Sequence, residues 1–140
     1  MTHTIDERIA ELKKQRDAVV LAHFYVPSEV QAIADYVGDS FYLSKLAASL
    51  PNKTIVFAGV EFMGESAKLL SPEKTVYLPE PCADCPMAHM VNKKDIDSVR
   101  TMYPDLAVVC YVNSTAEIKS WSDVCVTSSN ALKIVKKLPQ

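Results

Sequence analysis

Cys82 and Cys85 form a single CxxC in the run TVYLPEPCADCPMA, Thr75 to Ala88, where a β-branched and aromatic stretch breaks on prolines. A thiolate on a short loop after a strand can hold a metal or carry out thiol–disulfide chemistry. A closed zinc site needs a full tetrahedral set of ligands, and the chain has neither a second CxxC nor paired histidines. His89 is the only nearby imidazole, and helical spacing also allows it simply to be exposed. Cys110 and Cys125 lie inside apolar strand-like runs, where a thiol reads as a small buried hydrophobe.

Other polar groups recur where strand-like runs end, at AHFY, AGVEFMGES, YVNST and CVTSSN. His23 and Tyr25 alternate with Phe24, which would put both on one side of a sheet. Tyr111 and Asn113 repeat that spacing. Gly38-Asp39-Ser40 and Thr127-Ser128-Ser129 each precede a helical pattern, where free N–H groups and the positive dipole end favour carboxylates and phosphates. Ser40 and Ser128 read equally well as ordinary helix caps. Strand ends of an open α/β sheet line one crevice, so these residues together predict a small, multiply anionic substrate. Glu61, Glu65 and Lys68 are further candidates, although Glu65 and Lys68 also fit a salt-bridged helix surface.

The elements that must position these groups alternate strictly. Thr4-Ile5-Asp6-Glu7 has the form of a capping box and opens a helix over 5–15. Ala18–Phe24 is near-continuously apolar, as suits a parallel strand covered on both faces. Val30, Ile33, Ala34 and Val37 predict a helix ended by Gly38. Ser40 caps the next helix, FYLSKLAASL. Strands then follow at 54–58, 75–78, 107–112 and 124–127. Helices follow at 62–70, 87–102, 116–121 and 130–138. This alternation predicts an α/β fold with parallel sheets and helical crossovers. The strands near 19–24 and 107–112 both end in an aromatic and a polar residue, which hints at internal duplication. Pro79, Pro81 and Pro86 mark the boundary between a first unit, 1–80, and a second, 81–140.

The sequence has 140 residues, nearly half of them apolar, so a core can be buried. A net charge of −2 makes no electrostatic case for nucleic acid or an anionic membrane. The basic KIVKKL near the carboxyl terminus reads as a solvated helix face. No apolar run reaches membrane-span length, and MTHTIDERIAELKK lacks a signal-peptide core. The expected location is the cytoplasm, where thiols stay reduced.

Long motifs carry a resemblance. LAHFYVPSEVQAIADYVGDSFYLSKLAA, AGVEFMGESAKLLSPEKTVYLPE and YVNSTAEIKSWSDVCVTSSNA, in that order, resemble the successive motifs of quinolinate synthase, the A protein of bacterial NAD biosynthesis. The resemblance runs from Ala18 to Ala131. It implies Rossmann-like three-layer αβα units within a pseudo-threefold, three-domain family. It also implies condensation of iminoaspartate with dihydroxyacetone phosphate to quinolinate, with L-aspartate oxidase as supplier of the first substrate. The implied cofactor is a [4Fe–4S] cluster held by three cysteines, one from each domain, with an open iron acting as Lewis acid.

By the same resemblance His23 and Tyr25 are substrate residues, with Tyr25 catalytic. Asp39 and Ser40 match an anion-binding turn, and Tyr111, Asn113 and Ser128 are further substrate residues. Cys85 matches the first cluster ligand, because ADCPMA resembles the family's pattern there. Cys110 and Cys125 match no ligand. Cys82 is an additional thiol, and Glu61 stands where many members carry His or Arg. The similarity covers only the amino-terminal half of a member. The second unit is therefore expected to be incomplete, the other two cluster cysteines and the third domain to lie outside this sequence, and the isolated chain to be inactive. Two other readings stay open: a thiol–disulfide oxidoreductase using Cys82 and Cys85, and a non-catalytic remnant that binds a small anion.

Overall fold

The computed structural model describes residues 4–139, which divide into two compact units, the first ending at Ala83 and the second beginning at Asp84.

The first unit opens with α1, Ile5–Gln15. Its capping box is complete: Thr4 Oγ1 accepts from Glu7 N at 3.2 Å, and the Glu7 carboxylate accepts from Thr4 N at 2.8 Å. Asp17, at φ 46°, turns the chain out of the helix, and its carboxylate holds Asn52 and the Lys53 N–H. Then come β1 (Ala18–His23), α2 (Ser28–Ile33), β2 (Tyr36–Gly38), α3 (Ser40–Ser49), β3 (Thr54–Ala58), α4 (Glu61–Leu70) and β4 (Thr75–Tyr77). The four strands are all parallel, in the order β2-β1-β3-β4.

That order explains the layering. The chain moves one way from β1 to β2, then back past β1 to β3 and on to β4. Right-handed crossovers in opposite directions put α2 on one face and α3 with α4 on the other. Accordingly α1 packs on α2 and α3 on α4, while β1, between the two layers, is buried along its middle. Leu21, Leu43, Ile55, Phe57 and Met63 fill the core. Burying each side chain of this size contributes about 1.5–3 kcal/mol. Gly64 lets α4 approach β4, since a Cβ there would lie 2.7 Å from Leu78.

The sequence pattern misplaces two features here. Tyr36, Val37 and Gly38 form β2 rather than the end of a helix, because Asp35 leaves the helical path to pair with β1. Asp39, not Ser40, caps α3: its carboxylate accepts from Tyr42 N at 2.7 Å, and Ser40 is the first helical residue.

The second unit contains a 3₁₀ turn (Pro86–His89), α5 (Lys93–Met102), β5 (Val109–Tyr111), α6 (Ala116–Ser120), β6 (Val124–Val126) and α7 (Ala131–Val135). β5 and β6 pair in parallel. The helix expected over 87–102 is broken in two, because Asn92 caps α5 by accepting from Asp95 N at 3.1 Å. Ile96, Cys110, Ile118 and Val126 are buried, but Cys125 is exposed rather than part of a core.

The two units repeat one local design: Asp123 and Val108 follow Asp35 and Val20 at one offset in sequence, and the basic partner is shifted by one residue. In the first, Asp35 exchanges backbone and side-chain hydrogen bonds with Val20 and pairs with Lys13 of α1 at 2.6 Å. In the second, Asp123 does the same with Val108 and pairs with Arg100 of α5 at 2.7 Å. At this offset His23 corresponds to Tyr111, Tyr25 to Asn113 and Ser40 to Ser128. Among the described residues no helix is long and apolar enough to cross a membrane.

Candidate functional site

In the first unit, parallel strands put every carboxyl end on one edge of the sheet, so His23, the Asp39–Ser40 turn, Glu61 and the loop after β4 all lie along that edge. β1 stops at His23, in register with Gly38. Phe24 and Tyr25 belong to the turn beyond it, so strand alternation does not govern them. Instead the three rings close into a cluster. His23 stacks on Phe24 at 4.5 Å and meets Tyr25 edge-on at 4.6 Å. Phe24 and Tyr25 are edge-on at 4.7 Å. Tyr25 remains 83% exposed.

The His23 ring has a defined tautomer. Its Nδ1 accepts the Tyr25 backbone N–H at 3.3 Å, which leaves the proton on Nε2. Partial burial lowers its pKa from 6.5, while the Asp39 carboxylate pulls the other way. At neutral pH His23 is therefore an uncharged donor. Sequence reasoning missed the residue that shapes this turn. The Gln31 side-chain amide, from α2, donates to Phe24 O at 3.2 Å and Val26 O at 2.8 Å. Its position one helix beyond the strand end was the available signal.

The Asp39 carboxylate occupies the amino terminus of α3, so an anion bound there competes with a negative charge already in place. In the loop after β4, Ala83 O accepts Glu61 N at 2.9 Å and the Glu80 carboxylate accepts Cys82 N at 2.9 Å. Lys68 caps the end of α4, its Nζ donating to Pro72 O and Lys74 O at 2.8 and 2.7 Å.

In the second unit, Cys85 precedes the 3₁₀ turn, half-buried, with its thiol free. Asp84 braces it from both sides: one carboxylate oxygen accepts Cys85 N at 2.7 Å and the other meets His89 Nε2 at 2.7 Å. The hydrogen bond from His89, then that from Cys85 N, hold the Asp84 pKa below its ordinary value. A single thiolate in a tied turn suits one corner of an iron–sulfur cluster. Among the described residues no group of three or more His, Cys, Asp or Glu could hold a metal ion.

At the end of β5, Tyr111 is 40% exposed, and the Ser128 hydroxyl donates to its phenol oxygen at 3.4 Å. Ser128 is not a helix cap. Asn130 is the cap residue of the short α7, and its side-chain oxygen accepts Thr127 N at 2.7 Å, while Thr127 and Ser129 hydroxyls meet at 3.0 Å. Asn113 follows β5 in the turn before α6, which Thr115 caps by accepting from Ile118 N at 3.2 Å.

Comparison with known proteins adds the following. The family described as NadA, quinolinate synthetase A protein, matches residues 7–140. The quinolinate synthase of Fusobacterium nucleatum is 63% identical over 134 residues, covering 96% of this chain and 45% of that protein. Quinolinate synthases of Caldicellulosiruptor saccharolyticus and Clostridioides difficile are 55% and 51% identical, each with 45% of its length covered and 96% and 99% of this chain. The chain thus spans about half the length of the curated relatives it matches.

Proposed function

Because the chain belongs to the NadA family, quinolinate synthetase A proteins, we propose that it carries the amino-terminal half of a quinolinate synthase of NAD biosynthesis. The reaction would condense iminoaspartate with dihydroxyacetone phosphate, in the cytoplasm, with an L-aspartate oxidase supplying the imine. The observation that carries the reading is the repeat: His23 and Tyr25 at the end of β1 correspond to Tyr111 and Asn113 at the end of β5, and Ser40 after β2 corresponds to Ser128 after β6. The two units would be the first two of three similar domains.

The residues suggest a division of labour. His23 offers Nε2–H to a substrate carboxylate or phosphate as a neutral donor. Tyr25, exposed and held edge-on by two rings, supplies a phenol that donates or relays a proton. Ser128 and Tyr111 form a hydroxyl pair in which the phenol proton is directed to ligand once Ser128 donates to its oxygen. Ser40 would offer its hydroxyl to the ligand, while the Asp39 carboxylate occupies the amino terminus of α3 and holds that turn in shape. Cys85 would ligate one iron of a [4Fe–4S] cluster, with the remaining cysteines supplied from outside this sequence. When bound, that cluster supplies Lewis-acid activation.

The decisive experiment places this chain in a full-length polypeptide and assays quinolinate anaerobically from dihydroxyacetone phosphate and freshly generated iminoaspartate. Quinolinate formation that disappears with Cys85→Ser supports the reading. A cluster-loaded protein that makes none overturns it. Thiol–disulfide turnover that needs Cys82 would instead favour the oxidoreductase.

A further inference from the structure

Cys110 and Cys125 are direct partners in the β5–β6 ladder. Neighbouring strands lie about 4.8 Å apart, inside the Cα separation of about 4.4–6.8 Å that a disulfide spans. Side chains at paired positions project from the same face of a sheet. One thiol is buried and the other exposed, and the buried one donates to Tyr111 O at 3.2 Å. The thiols are electrostatic neighbours: partial desolvation of Cys125 first, then Cys110, raises the Cys125 pKa, with Lys119 opposing. No third ligand gathers around them among the described residues, so the pair suits closure of two sulfurs rather than a metal cage.

We propose that Cys110 and Cys125 form a reversible disulfide site, a cross-strand dithiol closed by a low-molecular-weight disulfide. The exposed Cys125, as thiolate, attacks one sulfur of the oxidant, whose S–S bond breaks and releases one thiolate. The Cys110 thiolate then attacks the mixed disulfide, forming the Cys110–Cys125 bond and expelling the second thiolate. The two protons lost by the cysteines go to the two released thiolates, and two electrons pass to the oxidant. The bridge would fasten β5 to β6 directly beside Tyr111 and Ser128, joining the two strands whose ends carry that hydroxyl pair. This site does not depend on the proposed activity.

The test uses the whole wild-type chain, oxidised glutathione as the probe, and N-ethylmaleimide to trap remaining thiols. Trypsin cuts after Arg100, Lys119 and Lys133, which puts Cys110 and Cys125 on adjacent separate peptides and Cys82 with Cys85 on another. The expected product is a linked pair, 101–119 with 120–133, about 2 Da lighter than the two reduced peptides together and split by dithiothreitol. Recovery of Cys110 and Cys125 only as maleimide adducts or glutathione mixed disulfides overturns the proposal. In guanidinium the linked pair should fall sharply relative to a Cys82–Cys85 bridge. An unchanged ratio would show that strand pairing is not what brings the thiols together, and would overturn it as well.

Discussion

The carboxylate of Asp123 accepts the backbone N–H of Val108 at 2.7 Å. The same oxygen pairs with Arg100 at 2.7 Å, and Asp123 N donates back to Val108 O at 2.9 Å. One residue thereby starts β6 beside β5 and ties both to α5. Asp35 repeats the arrangement with Val20 and Lys13. Exposed ion pairs alone are worth little, so the anchor's strength lies in the backbone N–H that would otherwise be unpaired.

Asp35→Ala should lower stability by about 1.5–3 kcal/mol, the cost of losing a hydrogen bond to a charged group. Asp35→Asn, which keeps an acceptor, should lose less. Urea unfolding at constant m value measures both. Equal losses in the two variants would mean that the ion pair, not the hydrogen bond, is the source.

Tyr25→Phe in a full-length enzyme should leave the melting temperature unchanged, because the side chain is 83% exposed. Turnover should fall by about 10²–10⁴-fold if the phenol acts as acid or base. A near-native rate would reduce Tyr25 to a ring that packs against His23.

Ser128→Ala should separate binding from stability. Ser128 caps no helix, so thermal unfolding should hardly move. Losing the Ser128 donor that turns the Tyr111 phenol proton toward substrate should weaken kcat/KM by about 0.5–1.5 kcal/mol, or roughly two- to tenfold. A lowered melting temperature with intact kinetics would reverse that assignment.

His23 gives a pH dependence with a definite sign. Its folded pKa lies below 6.5, so between the two values the unfolded chain binds more protons than the folded one. Its contribution to stability is therefore full above 6.5 and lost as pH falls toward the folded pKa. NMR titration of the His23 ring should give a midpoint below 6.5. His23→Gln should remove that part of the acid sensitivity.

The 140-residue chain should fail to retain a stable [4Fe–4S] cluster after anaerobic reconstitution, since its described residues gather no three-ligand group. Iron and sulfide counts near about four per chain, insensitive to Cys85→Ser, would displace Cys85 as a ligand.

Much of this protein was legible in residue order. Alternating apolar runs and helical stripes fixed an α/β fold with parallel strands, because each pattern reports which faces must be buried. The capping box at Thr4 and Glu7 was readable because both partners are local. His23 and Tyr111 end their strands where the apolar runs stop, whereas Tyr25 and Asn113 fall in the turns beyond, where strand alternation no longer applies.

Other features exist only once strands meet. Val37 continues a helical stripe, yet joins β2 because Asp35 finds Val20 fifteen residues earlier. Asp39 displaced Ser40 as cap, a choice between adjacent residues that backbone geometry made. Cys110 and Cys125 look alike as small apolar residues in strands, but one is buried and the other exposed. Their pairing follows from the β5–β6 register, and register is set by contacts between strands that no local pattern encodes.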